Sequence, residues 1–180
     1  MIFILSGPSG VGKDVIFSDL KRRVPFLNFV VTTTTRSRRE GEEEGVDYHF
    51  ISTSVFERLR DEGEFLEWSC VYGNFYGVPK RTVEEAIQKG EDILLKADTQ
   101  GAEKLKKMFP SARTIFLLPP SLEELRKRID GRGEIPDKEL RMEKAKEEMA
   151  CGHSFDHVVI NREVERTSED ILNIIQDAKG

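Results

Sequence analysis

Short apolar runs alternate with segments of helical periodicity along most of the chain. Apolar runs of four to six residues without a polar face are typical of strands buried on both sides of a sheet. Helical segments between such runs are typical of a parallel sheet with crossover helices. The pattern therefore predicts an α/β fold around a parallel core sheet, with strands at residues 2–6, 27–31, 92–97, 114–118 and 157–161.

Helix starts are indicated where a serine or threonine is followed three residues later by glutamate. In such a capping box each side chain can accept a hydrogen bond from a backbone N–H of the first turn. The chain has three of these pairs, namely Ser54 with Glu57, Thr82 with Glu85, and Ser121 with Glu124.

Two segments interrupt the alternation of strands and helices. Residues 32–80 form a long insertion rich in threonine, charge and aromatic residues, with strand-like pieces at 47–51 and 64–69. Residues 131–140 are a polar loop with glycine and proline between two helices. Long insertions in compact enzymes are commonly lids or binding subdomains. We therefore expect one domain over residues 1–180 that carries two such additions.

Composition excludes several function classes. A length of 180 residues with 38% hydrophobic residues suits a single soluble domain. The net charge of −5 argues against a general nucleic-acid binder, which needs a basic face. Cys70 and Cys151 are far apart and indicate neither a disulfide framework nor a zinc site. The N-terminal run MIFILS is too short for a membrane span or a signal peptide, so we expect a cytoplasmic protein without membrane or nucleic-acid partners.

The first predicted strand leads directly into the sequence GPSGVGKDV at residues 7–15. A glycine, four residues and then Gly-Lys is the spacing that wraps backbone N–H groups around nucleotide phosphates, with the lysine reaching the β- and γ-phosphates. The preceding strand and the following helix are the context that such a loop requires. The predicted phosphate-binding residues are Gly7, Pro8, Ser9, Gly10, Val11, Gly12 and Lys13.

Arginines are gathered in the two irregular segments. Arg36 and Arg39 follow a run of four threonines, Arg128 and Arg132 share one helix face, and Arg141 follows the polar loop. Each arginine alone is typical of a solvated surface. Transfer of a phosphoryl group between two nucleotides, however, needs positive charge on the acceptor phosphate and around the moving group. The two clusters would supply both.

The chain resembles guanylate kinases, a family of P-loop nucleoside monophosphate kinases, in several motifs that occur in the same order over nearly its whole length. The resemblance implies a core at residues 1–31, 81–127 and 151–180, a GMP-binding insert at 32–80 and a mobile lid at 128–150. It also implies ATP-dependent phosphorylation of GMP and dGMP with Mg²⁺ as cofactor, and no obligate protein partner. The motifs are GPSGVGK, TTTTRSRREGEEEGVDYHFIS, GEFLEW, GNFYG, DTQGA, FLLPPSLEELRKRIDGRG and RMEKAKEEM.

The resemblance also implies roles for individual residues. A carboxylate at Glu67 would accept from the N1–H and the exocyclic amine of guanine, and it would reject adenine, which lacks that pair of donors. Asp98, at a strand end, would lie near the guanine amine and the metal. The ATP site would add Asp14 and Asn161 to the loop. The GMP site would further contain Thr32, Arg36, Arg39, Tyr48 and Tyr76, and the transferred phosphoryl group would meet Lys13, Arg128, Arg132 and Arg141.

The chain departs from the family pattern at several positions. Asp14 and Val15 stand where one of the two residues is commonly serine or threonine, and Val78 stands where such a hydroxyl contacts the base. Lys96 and Ala97 stand where an acid and a bulky aliphatic residue are common. The loop after Arg132 is about two residues shorter than usual.

Asp14 has two interpretations. Mg²⁺ prefers hard oxygen ligands, so the carboxylate is predicted to hold the ion directly or through a water. Alternatively, Asp14 only favours the first turn of the helix, and the metal is held by the phosphates, by water and by Asp98.

Two other functions compete with an active guanylate kinase. A catalytically silent module that binds a phosphorylated partner would need only the acceptor-phosphate residues, whereas this chain also keeps Lys13 and the lid arginines. A kinase of the same fold with relaxed acceptor specificity is favoured only by Val78. The expected ligands are therefore ATP and GMP.

Overall fold

The computed structural model describes residues 1–131 and 138–179. Within them, the strands are β1 (Ile2–Ser6), β2 (Asn28–Val30), β3 (Thr33–Thr34), β4 (His49–Phe50), β5 (Phe65–Val71), β6 (Asn74–Pro79), β7 (Ile93–Lys96), β8 (Arg113–Leu118) and β9 (His157–Ile160). The helices are α1 (Lys13–Arg23), α2 (Thr53–Asp61), α3 (Lys80–Gln88), α4 (Thr99–Met108), α5 (Leu122–Asp130), α6 (Lys138–Ala150) and α7 (Val164–Asp177), and a 3₁₀ turn covers Cys151–Ser154.

A five-stranded parallel sheet in the order β2-β7-β1-β8-β9 forms the core. Its strands are the five that the apolar runs predict, each within one residue at either end. The predicted α/β fold with a parallel core sheet is confirmed.

Helices cover both faces of this sheet, which explains why its strands are apolar without alternation. On one face Phe3 and Leu5 of β1 pack with α1 and α7. On the other face Ile4 packs with α3 and α4. Successive side chains of a strand point to opposite faces of the sheet. Because helices cover both faces, Phe3, Ile4 and Leu5 are all fully buried.

The central position of β1 places the glycine-rich loop at the middle of the sheet edge. Leu5 of β1 lies beside Lys96 of β7 on one side and Ile115 of β8 on the other. Ligands of open α/β sheets bind outside the carboxyl ends of the strands, where neighbouring connections diverge. The loop and the last residue of β7, Lys96, therefore lie together at that edge.

The insertion forms a second, four-stranded sheet in the order β4-β3-β6-β5. Phe56 of α2 stacks on Phe65 and Phe75, with ring centroids 4.5 and 5.2 Å away. The strand-like pieces at 47–51 and 64–69 correspond to β4 and β5. The sequence analysis missed β3, which has only two residues, and β6, which contains asparagine, glycine and proline.

One of the three predicted helix starts, the one at Ser121, is confirmed. Ser121 precedes α5 and accepts from the N–H of Glu124 at 3.1 Å. The other two predictions were wrong. Ser52, not Ser54, caps α2 because it has the extended backbone that a cap requires, and it accepts from Val55 N at 3.3 Å. Pro79 precedes α3, which places Thr82 inside the helix.

Helices α5 and α6 flank the predicted polar loop at 131–140. They share a small apolar cluster that contains Leu125, Ile129, Met142 and Ala145. Residues 138–140 belong to α6 rather than to the loop, while residues 132–137 lie outside the described residues. Among the helices described here, none combines the length and the apolar character needed to cross a membrane.

Candidate functional site

A cavity opens at the carboxyl edge of the parallel sheet, between the glycine-rich loop, the second sheet and α6. Phosphate-loop residues form one wall, and residues of the insertion form the opposite one. Most residues that the sequence analysis singled out line this cavity: Gly7, Pro8, Ser9, Gly10, Gly12, Lys13, Asp14, Thr32, Arg36, Arg39, Tyr48, Tyr76, Asp98 and Arg141.

Four predicted site residues are not among the lining residues. Val11, Arg128 and Asn161 lie behind the loop, and Glu67 lies beneath the cavity near Asp98. Arg132, the remaining one, lies outside the described residues.

The glycine-rich loop presents backbone donors to the cavity. Gly7 has φ +148°, and a Cβ at this position would lie 2.6 Å from the carbonyl oxygen of Leu117. Gly12 has φ +102° and precedes α1, whose first turn has no side-chain cap. An uncapped helix start leaves N–H groups and the positive end of the helix dipole available to an anion. Lys13 Nζ folds back to the carbonyl of Gly7 and, at 3.1 Å, to that of Pro8.

Arg128 and Asn161 hold the loop from behind. The carbonyl of Val11 accepts from Asn161 Nδ2 at 2.7 Å and from Arg128 Nη1 at 3.2 Å. Arg128 Nη2 also donates to the Asn161 carbonyl at 3.1 Å. These bonds connect the loop to the end of β9 and to α5.

Asp14 is held by two groups that the glycine-rich motif does not indicate. Its Oδ1 accepts from Lys96 Nζ at 2.9 Å and from the Tyr48 hydroxyl at 2.6 Å. Burial alone would raise the pKa of Asp14, but Lys96, Tyr48 and Lys13 together hold it well below its usual range. Burial and the neighbouring Asp14 raise the pKa of Tyr48. Asp14 is therefore ionised, and Tyr48 is a neutral donor.

The arginine cluster of the insertion is organised by Glu42. Arg36 Nη1 and Nη2 donate to its two carboxylate oxygens at 3.0 and 2.7 Å. The backbone N–H of Arg39 donates to Glu42 Oε2 at 2.8 Å. Burial would raise the pKa of Glu42, but the Arg36 and Arg39 bonds lower it. The ionised Glu42 fixes the Arg36 guanidinium beside the Tyr48 ring, 5.4 Å from its centroid.

Glu67 is a buried acid, with 5% of its surface exposed. Burial and the nearby Asp98 raise its pKa to about 7, although Lys104 Nζ, 3.3 Å from Oε1, acts in the opposite direction. Glu67 lies opposite Val78 in the β5–β6 pair. A Cβ on Gly101 would lie 2.7 Å from Glu67 Oε2, so glycine leaves the space that this carboxylate occupies.

Asp98 begins helix α4. Its Oδ1 accepts from the backbone N–H of Gly101 at 2.8 Å, and its Oδ2 accepts from the Ser69 hydroxyl. These two bonds orient the carboxylate at the cavity wall, close enough to Glu67 to raise the pKa of that residue.

Oxygen ligands for a metal are few around the cavity. The carboxylates near the loop are Asp14, Asp98 and Glu148. In the part of the chain that the structure describes, no three or more histidine, cysteine, aspartate or glutamate side chains are grouped to hold a metal ion. The donor set suits an ion that arrives with a polyphosphate and keeps water ligands, rather than a cage built by the protein.

Several cavity residues were missed by sequence reasoning. Glu148 of α6 accepts from Ser9 N at 3.2 Å, and Tyr72, at φ +49°, contacts Arg141 with its ring centroid 4.2 Å from the guanidinium carbon. Tyr72 lies outside the quoted motifs, and Glu148 lies in the motif RMEKAKEEM among several exposed charges, so no sequence signal singles out either residue. Lys96 was noted only as a departure from the family pattern, although its contact with Asp14 could have been suspected from two unusual residues of opposite charge.

Comparisons with known proteins agree on one family. The model of the guanylate kinase family matches residues 1–178. The chain is 41% identical over 180 residues to the guanylate kinase of Aromatoleum aromaticum, covering 99% of this chain and 88% of that protein. It is 41% identical over 182 residues to that of Clostridioides difficile, covering 100% and 89%. The crystal structure of guanylate kinase from Anaplasma phagocytophilum has a TM-score of 0.83 and 36% identity, covering 98% of this chain and 85% of that one.

The raised pKa of Glu67 predicts that ionisation of this residue lowers the free energy of unfolding. The folded protein binds the Glu67 proton up to about pH 7, whereas the unfolded chain releases it near the ordinary value of 4.5. Stability is therefore lost as the pH rises between these values. Glu67→Gln should match the wild type at pH 4.5 and be more stable by about 1–3 kcal/mol at pH 8, as measured by urea unfolding. The matched control is Glu64→Gln at an exposed site. An equal Glu67→Gln effect at both pH values would contradict the assignment.

Proposed function

The chain belongs to the guanylate kinase family and phosphorylates GMP at the expense of ATP, and we propose how the residues around its cavity carry out this reaction. The supporting observation is that a phosphate-binding loop and a cluster of arginine and tyrosine residues face each other across one cavity. A donor and an acceptor phosphate can therefore meet there.

ATP binds with its β- and γ-phosphates in the loop formed by residues 7–13. The uncapped start of α1 supports this, because its N–H groups and dipole favour anions. Lys13 exchanges its carbonyl partners in the loop for phosphate oxygens, which are stronger acceptors because they are charged. Asn161 contributes to the ATP site by holding the loop carbonyl of Val11.

The GMP phosphate binds to the opposite wall. Arg36, already oriented by Glu42, presents a guanidinium group beside Tyr48. Thr32, Arg39 and Tyr76 complete the acceptor-phosphate set, and all of them line the cavity. A preoriented arginine loses little side-chain freedom when it binds a phosphate, which favours affinity.

Glu67 and Asp98 recognise guanine. Glu67 must be ionised to accept from the N1–H and the amine of the base, and those donors favour the ionised form, whose pKa burial has raised. Asp98 is held at the adjacent position by Gly101 and Ser69. Adenine presents an acceptor to this pair and would leave a buried carboxylate without a donor.

Arginines stabilise the charge of the phosphoryl group as it moves. Arg141 lines the cavity from α6, which supports its assignment to the phosphates. Arg128 acts from behind the loop, where it keeps the Val11 carbonyl turned away from the phosphates. Arg132 is assigned by the family resemblance alone.

Mg²⁺ when bound with ATP neutralises part of the phosphate charge. Asp14 is the residue of this chain that would hold the ion, directly through Oδ2 or through a water, since Oδ1 accepts from Lys96 and Tyr48. We also propose that the chain is divided into a core, a GMP-binding insert at residues 32–80 and a lid at residues 128–150. A cytoplasmic location is part of the same proposal.

The first prediction from this assignment concerns the acceptor. With ATP and Mg²⁺, the purified protein should phosphorylate GMP and dGMP in preference to AMP, CMP and UMP, because Glu67 meets two donors on guanine only. Coupled measurement of ADP release with GMP, dGMP, AMP, CMP and UMP checks it, and the omission of divalent metal is the control. Equal turnover of AMP, or none of any nucleotide, would contradict it.

The second prediction separates acceptor binding from transfer. Arg39→Ala should raise the KM for GMP roughly 10- to 100-fold, because it removes a charged hydrogen bond to the phosphate. Arg141→Ala should instead lower kcat by roughly 1000-fold, because that arginine acts on the moving group. Steady-state kinetics distinguish the two effects, with Arg38→Ala, exposed and off the cavity wall, as the matched control. Identical changes in both variants would overturn the separate roles.

A further inference from the structure

Two departures from the family pattern are in contact across the cavity floor. Lys96 ends β7, Asp14 lies in the first turn of α1, and the Lys96 ammonium lies 2.9 Å from Asp14 Oδ1. The carboxylate and the ammonium together form a neutral pair at the wall of the cavity, and the pair places a positive charge beside the glycine-rich loop.

Lys96 is held rigidly in this position. It is 5% exposed, and its Nζ also donates to the carbonyl of Asp47 at 3.2 Å. The aromatic rings of Tyr48 and Phe17 lie 4.0 and 4.7 Å from the ammonium, measured to the ring centroids. These contacts fix a positive charge without depending on a bound ligand.

The ammonium lies between the two phosphate-binding walls. It contacts Asp14, which follows the loop lysine Lys13. It also contacts Tyr48 of the acceptor cluster, the residues Thr32, Arg36, Arg39, Tyr48 and Tyr76 proposed to bind the GMP phosphate. It lines the same cavity as Lys13 and Arg36. An ammonium has three N–H donors. Within the described residues, Asp14 Oδ1 and the carbonyl oxygen of Asp47 accept hydrogen bonds from two of them.

Stability alone does not account for a lysine at this place. Removing two charges from water costs about as much as their attraction returns, so a buried ion pair is often no better than an apolar pair of the same volume. A fixed cation beside a phosphate loop, in contrast, gains directly when a polyanion binds.

We propose that Lys96 is a further phosphate-binding residue, whose third N–H donates to the γ-phosphate of ATP. The inference rests on the proposed function, since it places the γ-phosphate between the loop and the acceptor cluster. Asp14 then has a second task, because it positions the ammonium that meets this phosphate. The Lys96 ammonium thereby supplies part of the positive charge that neutralises the phosphates of ATP.

Nucleotide binding without turnover tests the proposal. Affinities for ATP, ADP and GMP are measured by isothermal titration calorimetry in EDTA. The variants are Asp14→Asn and the double variant Asp14→Asn/Lys96→Met, because the asparagine avoids leaving an uncompensated carboxylate beside the phosphates. Replacement of Lys96 in that background should weaken ATP binding roughly 10- to 100-fold, and ADP binding less than threefold. Lys106→Met, whose lysine pairs with Asp156 away from the cavity, is the control and should change neither affinity.

Three results would overturn the proposal. Unchanged ATP affinity would make Lys96 only the counter-charge of Asp14. Equal losses for ATP and ADP would assign it to the loop rather than to the γ-phosphate, and a loss confined to GMP would assign it to the acceptor site. Turnover of GMP by the wild-type protein is measured separately, so a failure of the proposed function is distinguishable from a failure of this inference.

Discussion

The ion pair between Lys96 and Asp14 is the interaction on which the arrangement of the cavity depends. Lys96 belongs to the core sheet and Asp14 to the helix that follows the phosphate loop, while Tyr48 of the insertion donates to the same Asp14 oxygen at 2.6 Å. Each charge compensates the other at the cavity wall, together with the Tyr48 hydroxyl on Asp14 and the Asp47 carbonyl on Lys96. One contact thereby fixes the loop and the acceptor cluster relative to the sheet.

The rest of the site follows the same electrostatic rule, in which acids position the bases that bind phosphate. Glu42 orients Arg36 through two hydrogen bonds, and Glu148 accepts from the loop at Ser9. Burial raises the pKa of Glu148, although the nearby Lys13 acts in the opposite direction. A chain with a net charge of −5 can therefore present a locally basic cavity. Glu67 and Glu148 differ from Glu42 and Asp14, because burial raises the pKa of both and the nearby cations compensate only in part.

The sequence predicts the elements whose signals are local. The core strands are recognisable because burial on both faces leaves them apolar, and the phosphate loop because its glycines have fixed spacing. Strand β6 is not predicted from the sequence, because asparagine, glycine and proline are uncommon in strands and its pairing with β5 is not a local signal. The Lys96–Asp14 contact joins residues 82 positions apart, and a lysine that ends an apolar run carries no sign of its partner. The location of Arg128 behind the loop depends on the packing of α5, which no local pattern specifies.

A double-mutant cycle on the free energy of unfolding tests the central ion pair most directly. Urea unfolding of the wild type, Asp14→Asn, Lys96→Met and the double variant gives the coupling between the two side chains. If the pair organises the cavity, each single change leaves an uncompensated charge, and the double variant is more stable than the sum of the single effects implies, by about 1 kcal/mol or more. Additive effects within about 0.3 kcal/mol would show that the two charges do not depend on each other, and would contradict this account.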